Sequence, residues 1–537
     1  MAPLPPDPVG PLLTALIATI AGTPVLSAVV LRRYRRAVGR SMRITAPRRP
    51  VRVAAGSAGG PERAHRRARP AAVVVLDEGR TPHGPGEGLW HRARRRLYGA
   101  AVVYLVAGLA SGAVLATVRP AVTGTPLDPR TLLVLTVLFA WPLVPTMIAL
   151  TAAARPAQAL AWAGYAVLLL LTTVDTGLTP AALGTLVALF VGPPAVLLLA
   201  LGSRPLRAVG SFLAVPVLLT TLGLLLVPDA TQWAMRLGAS APVGAVLAVL
   251  AAGLLGLAGF AHLAWAARQY ARKRASDQML TVSQWWFLAA AWQSVTLVPY
   301  GIGAAFAALT AYVAFRVVLA VGMRLRPRPV GPPHRLLLLR TFGARRRSET
   351  LLRRLGAHWR HVGTITMIAG TDLASAALEP HEFLDLLRGR PARRFIGTDG
   401  ELRERLGRLD DQPDLDRRYR VAGLFCHDDM WRPALQRLLR LHDRVLLDVR
   451  GFGRGNEGVA WEITQLAQVV PLDRALVLVD DSTDEYLLRA TLDRARAEVD
   501  PGVVAPIQWE SGPLRLLRTH SRHVDPAVVV AQLDRSR

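Results

Sequence analysis

Cysteine is almost missing from this 537-residue chain, where Cys426 stands alone. An intrachain disulfide is therefore excluded, as is a metal site built on several thiolates. Lysine is nearly absent too, with Lys273 as its one representative, so cationic chemistry falls to arginine. Acidic residues number 38 against 65 basic ones, a formal net charge of +27. No nucleic-acid-binding motif accompanies that charge, which sets nucleic acid aside as a partner. The chain also lacks G-x-G-x-x-G and G-x-x-x-x-G-K-[ST], the two common glycine-rich phosphate-binding patterns. Most telling, charge of either sign is scarce across residues 97–323 and abundant on both sides.

What fills that stretch is apolar. The chain is 51% hydrophobic and 19% charged, with a mean hydropathy of +0.29, too apolar for a soluble protein of this length. A helix needs about 20 apolar residues to cross the hydrocarbon. Residues 9–31 form the first such run and are followed at once by Arg32, Arg33, Arg35 and Arg36. Residues 1–8 carry no Lys or Arg, so the run reads as a retained helix with its N-terminus outside, not as a signal peptide. Further spans are expected at 97–118, 131–153, 159–174, 180–201, 211–227 and 242–266. Residues 277–324 are long enough for two more, at 282–297 and 303–323, for about nine in all. The first of this pair, with Gln284, Trp285, Trp286, Trp292 and Gln293, has the alternative of lying in the headgroup region.

Residues 32–96 hold 18 arginines and four acidic residues, a net +14. We read this segment as a basic cytoplasmic loop that sets orientation and rests on anionic lipid headgroups. Apart from the short run at 71–76 it lacks apolar periodicity and is expected to be flexible. The expected address is the plasma membrane, with the C-terminal region on the cytoplasmic side. Transport would require ionisable residues or broken helices at mid-membrane. Those signs are thin. His262 lies near a helix end, and Pro142, Pro145, Pro193, Pro194 and Pro216 read as kinks. Gly253, Gly256 and Gly259 read as a close helix contact.

After residues 329–333, a proline-rich linker, apolar runs alternate with helical patterns. Strands are expected at 336–339, 362–368, 445–449, 475–479 and 503–507, and helices at 345–359, 381–387, 401–409, 429–441, 457–469 and 484–498. That alternation implies a doubly wound parallel sheet with helices on both faces over residues 335–537. Such sheets bind ligands at the carboxyl ends of their strands. The residues selected are Arg340, Thr341, Phe342 and Gly343, then Gly370, Thr371 and Asp372, then Arg450, Gly451 and Phe452, then Asp480 and Asp481. Arg340 with its loop is a candidate anion site. Asp480, Asp481 and Asp484 read as a helix cap formed by Ser482 or Thr483 in preference to a metal site.

The stretch WRPALQRLLRLHDRVLLDVRGFGRGNEGVAWEITQL, residues 431–466, resembles part of the Toll/interleukin-1 receptor (TIR) domains: a helix, an aliphatic strand, an aromatic-bearing loop and a helix carrying a glutamate. Strand 336–340 followed by Thr341 and Phe342 is similar to the family's first strand and loop. The family often has Trp-Cys three residues before its glutamate, whereas this chain has Gly458 and Val459, with Trp461 next to Glu462. The resemblance implies a TIR-like, flavodoxin-like domain fused to a multi-pass membrane region of bacterial type, acting in signalling or defence. It further implies NAD as a substrate and a homo-oligomer formed through the membrane region or the TIR-like domain. Glu462 would be the catalytic carboxylate. Arg340, Thr341, Phe342, Gly343, Asp372, Arg450 and Phe452 would bind the dinucleotide, with no metal. The alternative expectation is a non-enzymatic regulatory protein that binds a partner, and after it a transporter with a regulatory domain.

Overall fold

The structure is a computed structural model that describes residues 9–43, 73–78, 88–174, 176–192, 194–196, 207–341, 345–369, 395–427, 429–497, 513–520 and 524–535. Its front part is a helical bundle. The helices are α1 (Val9–Arg43), α2 (Leu89–Thr123), α3 (Pro129–Phe139), α4 (Leu143–Thr151), α5 (Arg155–Thr173), α6 (Pro180–Phe190), α7 (Arg207–Leu225), α8 (Val227–Arg236), α9 (Ala241–Ala271), α10 (Asp277–Leu297) and α11 (Ile302–Leu325). Five of them, α1, α2, α5, α9 and α11, are long and apolar enough to cross a membrane. The count reaches seven if the bent pairs α3 with α4 and α7 with α8 are each one span. Their outward faces are apolar: Leu171, Leu254, Leu257, Phe260 and Phe306 are all exposed. So much contiguous apolar surface is untenable in water and suits lipid.

Two of the nine expected segments fall outside that count. Helix α6 has 11 residues, and α10 is not apolar enough. Helix α10, for which a surface position was the alternative, has 15 of its 21 residues buried. Its polar residues serve a broken neighbour. In α6 the carbonyls of Leu189 and Phe190 would meet the N–H groups four residues on, but Pro193 and Pro194 have none. The Trp292 indole donates to the Leu189 carbonyl at 2.8 Å, and the Gln293 amide donates to Phe190 at 3.1 Å. Side chains of α10 thus replace backbone donors where no water is at hand.

The rear part is one parallel sheet of eight strands in the order β1-β8-β7-β6-β2-β3-β5-β4. The strands are β1 (Val73–Asp77), β2 (His334–Arg340), β3 (Gly363–Ile368), β4 (Phe395–Ile396), β5 (Val421–Cys426), β6 (Arg444–Asp448), β7 (Ala475–Val479) and β8 (Leu514–Arg518). Strands β6 and β7 are buried at every position, as continuous aliphatic runs between two helix layers should be. The layers contain α12 (Arg345–Trp359), α13 (Asp399–Gly407), α14 (Trp431–Leu441), α15 (Glu457–Val469), α16 (Glu485–Ala497) and α17 (Pro526–Asp534).

Expectation and structure differ at four strands, one of them the two-residue β4 at Phe395–Ile396. Residues 421–426 carry Ala422 and Gly423, poor strand formers, yet they form β5 between β3 and β4. Residues 514–518 are interrupted by Arg515, yet they form β8. The last is a correction to the flexible basic loop: residues 73–77 are β1, paired in parallel with β8 from Val73 opposite Leu514 to Asp77 opposite Arg518. Joining the sheet leaves Val73 and Leu76 half-buried and Val74 and Val75 exposed. This pairing places residues 73–77 of the basic segment in the sheet of the C-terminal domain. The strand expected at 503–507 and the helix expected at 381–387 lie outside the described residues.

The two parts share one continuous helix and a polar seam. Leu89 and Ala93 of α2 lie in the core of the sheet domain with Leu336, Leu338 and Trp359, while Leu97, Ala100 and Tyr104 lie in the core of the bundle. At the seam, Arg360 donates to both oxygens of Asp277 at 3.1 and 2.9 Å. Ser276, the N-cap of α10, donates to Asp416 at 2.5 Å. Arg326 donates to the carbonyls of Asp416 and Arg96 at 3.0 and 2.5 Å. Arg420 ion-pairs with Asp414 at 2.7 Å, and its guanidinium lies 3.6 Å from the centre of the Tyr270 ring. Burial raises the Asp414 carboxyl to about 6 despite that arginine. These residues precede strands β3 and β5. The amino ends of β3 and β5 therefore meet the bundle along this seam, and Ala369, Phe395 and Phe425, nearer the carboxyl ends of β3, β4 and β5, also join the bundle's apolar core.

Candidate active site

Strand β2 is the switch point of the sheet. The chain leaves it for β3 on one side and returns to place β6 on the other, so the connections diverge above the β2–β6 pair. A crevice at the carboxyl ends of two such strands is the usual ligand position in an open α/β sheet. Arg340 ends β2 and stands in register with Asp448, which ends β6. The loop after β6 turns at Gly451, whose φ of +82° belongs to the left-handed region where a side chain is disfavoured. The reversal carries the chain into α15, and Glu462 faces back toward the sheet from the second turn of that helix.

The site is shut around its carboxylates. Arg450 donates to both oxygens of Asp448, each at 2.7 Å, and both residues are buried. Burial works against the Arg450 charge, but the paired Asp448 outweighs it and holds the guanidinium above its ordinary pKa. The Thr341 amide and hydroxyl donate to the Asp448 carbonyl at 2.9 and 3.2 Å. Phe452 is sealed in the core with Val459 and Ile463. Glu462 is 3% exposed, and its Oε2 has no hydrogen-bond partner among the described residues. Burial pushes its carboxyl up to about 8, with the nearby Arg340 pulling the other way. At neutral pH this is a protonated acid beside a guanidinium.

The structure thus places Arg340, Thr341, Arg450, Phe452 and Glu462, all buried, around the carboxyl ends of β2 and β6. Phe342, Gly343, Gly370, Thr371 and Asp372 lie outside the described residues. Asp480 stands further along the same edge, held by Arg347 at 2.8 Å and by Ser482 at 2.5 Å. The cap of α16 is Asp484, which accepts from the Leu487 amide at 2.9 Å, and so corrects the assignment to Ser482 or Thr483. Among the described residues no group of His, Cys, Asp or Glu could hold a metal ion.

Two site residues were overlooked in the sequence. Asp448 had a legible signal, a carboxylate closing an aliphatic run two residues before an arginine. Glu78 had none. It follows β1, accepts from the Asp525 amide at 2.5 Å, and lies within electrostatic reach of Arg450, with burial raising its carboxyl. No protein-family model matches the chain, and no curated protein or solved structure matches it either.

Proposed function

We propose that this is a multi-pass membrane protein that presents a TIR-like α/β domain to the cytosol for signalling or defence, with NAD cleavage at Glu462 as its activity. The observation that carries the reading is the buried Glu462, with one oxygen unpartnered among the described residues, facing Arg340 at the switch point of the sheet. Strand order supports it. With β1, β4 and β5 set aside, strands β3-β2-β6-β7-β8 follow the 2-1-3-4-5 order of flavodoxin-like sheets. The stretch 431–466 that resembles TIR domains runs through α14, β6, the Gly451 turn and α15, the helix-strand-loop-helix order of that family. The cytosolic orientation rests on the Arg-rich loop, which shares a side with the sheet through the pairing of β1 and β8.

Cleavage of the nicotinamide glycosidic bond passes through an oxocarbenium-like state that a carboxylate stabilises only when ionised. Glu462 as it stands must first lose its proton, so kcat/KM should rise with pH up to about 8. The test is nicotinamide release by the full chain in nanodiscs, compared with Glu462→Gln and Arg340→Gln. Release that persists in Glu462→Gln removes the catalytic assignment.

One observation favours a second reading, binding without turnover. Arg450 is fully engaged by Asp448, and Phe452 is committed to the core, so neither is free to meet a ligand in this state. Saturable NAD binding without product would select the regulatory alternative. In either case homo-oligomerisation through the membrane helices or the TIR-like domain is the proposed means of activation, checked by cross-linking in the membrane.

A further inference from the structure

Helices α9 and α11 both pack on α10 but not closely on each other, which leaves a strip of α10, with Phe287, Ala291 and Ser294, partly accessible between them. At and behind the Phe287 level of this cleft lie groups uncommon in hydrocarbon. His262 Nε2 lies 3.0 Å from Gln284 Oε1, and its ring stacks on Phe287 with centroids 6.5 Å apart. Gln284 is fully buried, and its amide nitrogen has no partner among the described residues. Across the cleft, Arg316 of α11 sits 5.4 Å from the Trp265 ring of α9 and beside Tyr312. Among the described residues Arg316 pairs with no carboxylate. Its neighbours Val313 and Val317 are exposed on the lipid-facing side.

The depth of the cluster is informative. Arg316 lies nine residues before the end of α11 at Leu325, about 13 Å along the helix. Trp265 lies two turns before Arg272, where α9 ends against the sheet domain. A guanidinium at that depth is costly without an anion, and residues of this kind inside membranes mark ligand or ion sites. A tryptophan at the same level belongs to the zone of headgroups and upper acyl chains.

We propose that this cleft holds an anionic lipid from the leaflet adjoining the α/β domain. Its head-group oxyanion, a phosphodiester or a fatty-acid carboxylate, pairs with Arg316 between Trp265 and Tyr312 and accepts from the free Gln284 amide. The His262 contact holds that amide by its oxygen and leaves the nitrogen to donate. From Phe287 the strip runs toward the membrane centre through Ala291 and Ser294, the direction in which an acyl chain of that leaflet must point. This inference is independent of any activity at Glu462.

The test is native mass spectrometry of the full chain in detergent, titrated with phosphatidylglycerol, oleate or phosphatidylcholine. We expect one molecule of phosphatidylglycerol or oleate to bind in preference to phosphatidylcholine, and the preferred one names the source of the anion. Arg316→Gln should weaken it roughly fivefold, the worth of one basic residue at a charged membrane surface, and Arg316→Lys should keep most of it. Arg268→Gln, at the exposed end of α9, should leave it unchanged. Equal binding of phosphatidylcholine by the unmodified chain would overturn the proposal. So would an Arg268→Gln loss as large as that of Arg316→Gln, since binding would then be diffuse attraction to the basic surface.

Discussion

The helical bundle and the sheet domain both bury polar side chains, but to opposite ends. In the bundle, Trp292 and Gln293 stand in for backbone N–H groups that Pro193 and Pro194 cannot supply, so their N–H donors are consumed by the fold, while Gln293 Oε1 has no partner among the described residues. In the sheet domain β6 is paired on both sides, and the polar side chains at its carboxyl end bond mainly to one another. Asp448 and Arg450 neutralise each other, while Glu462 keeps an oxygen without a partner among the described residues. The contrast teaches where to look for function: buried polarity that repairs a broken backbone is structural, and buried polarity beside an intact one is available for chemistry.

The largest effect that would break this comparison is at Arg450. Arg450→Met leaves the buried Asp448 charge without its partner and should cost about 3–5 kcal/mol in thermal unfolding of the detergent-solubilised chain. Arg450→Met with Asp448→Leu should recover much of that loss. A single variant as stable as the parent would show that the pair is not a closed unit.

Glu462 should give an effect of comparable size that appears only as pH rises. Its folded carboxyl titrates near 8, above the 4.5 of an ordinary glutamate, so the folded state holds the extra proton. Stability is fully present below about 4.5 and falls as pH rises toward 8. Glu462→Gln removes that loss, so its advantage over the parent should grow between these limits by a few kcal/mol, on the order of 1.4 per unit. Parallel melting curves against pH would refute the shift.

The smallest effect sharpens the membrane side. Gln293→Leu should cost about 1–3 kcal/mol by orphaning the Phe190 carbonyl. Adding Pro194→Ala, which restores a backbone donor, should return part of it. If the double substitution is simply additive, the side chain is not replacing the missing N–H.

Much of the architecture was legible in the residues. Strand 475–479 and helices 345–359 and 457–469 have the bounds that aliphatic runs and helical periodicity indicate. The glycines of α9 were legible only in part. A Cβ at Gly259 would come within 2.7 Å of the Pro216 backbone and one at Gly256 within 3.5 Å of Thr220, whereas Gly253 has open space beside it. Composition shows which residues permit contact but not which face meets the neighbour. The polar residues of α10 misled for a related reason, since Trp and Gln at a membrane surface and within a bundle look alike until the broken α6 is seen beside them. Strand β1 was the least legible, because five residues in a basic loop acquire a partner only at β8, more than 400 residues on. At the crevice, the strand-end rule found Arg340 and Arg450, but a rule about loops could not show that Asp448 occupies Arg450.

Helix α2 has a consequence for how the two halves communicate. Its 35 residues make a rod about 52 Å long, with no hinge between the part seated under the sheet and the part among the membrane helices. A lever of that kind converts angle into displacement: if bilayer thickness or a bound molecule leans it by about 10° around its middle, its inner tip travels roughly 4 Å. Leu89 and Ala93 form that tip, so any tilt of the rod would act directly on the apolar contacts beneath β2, the strand that ends in Arg340.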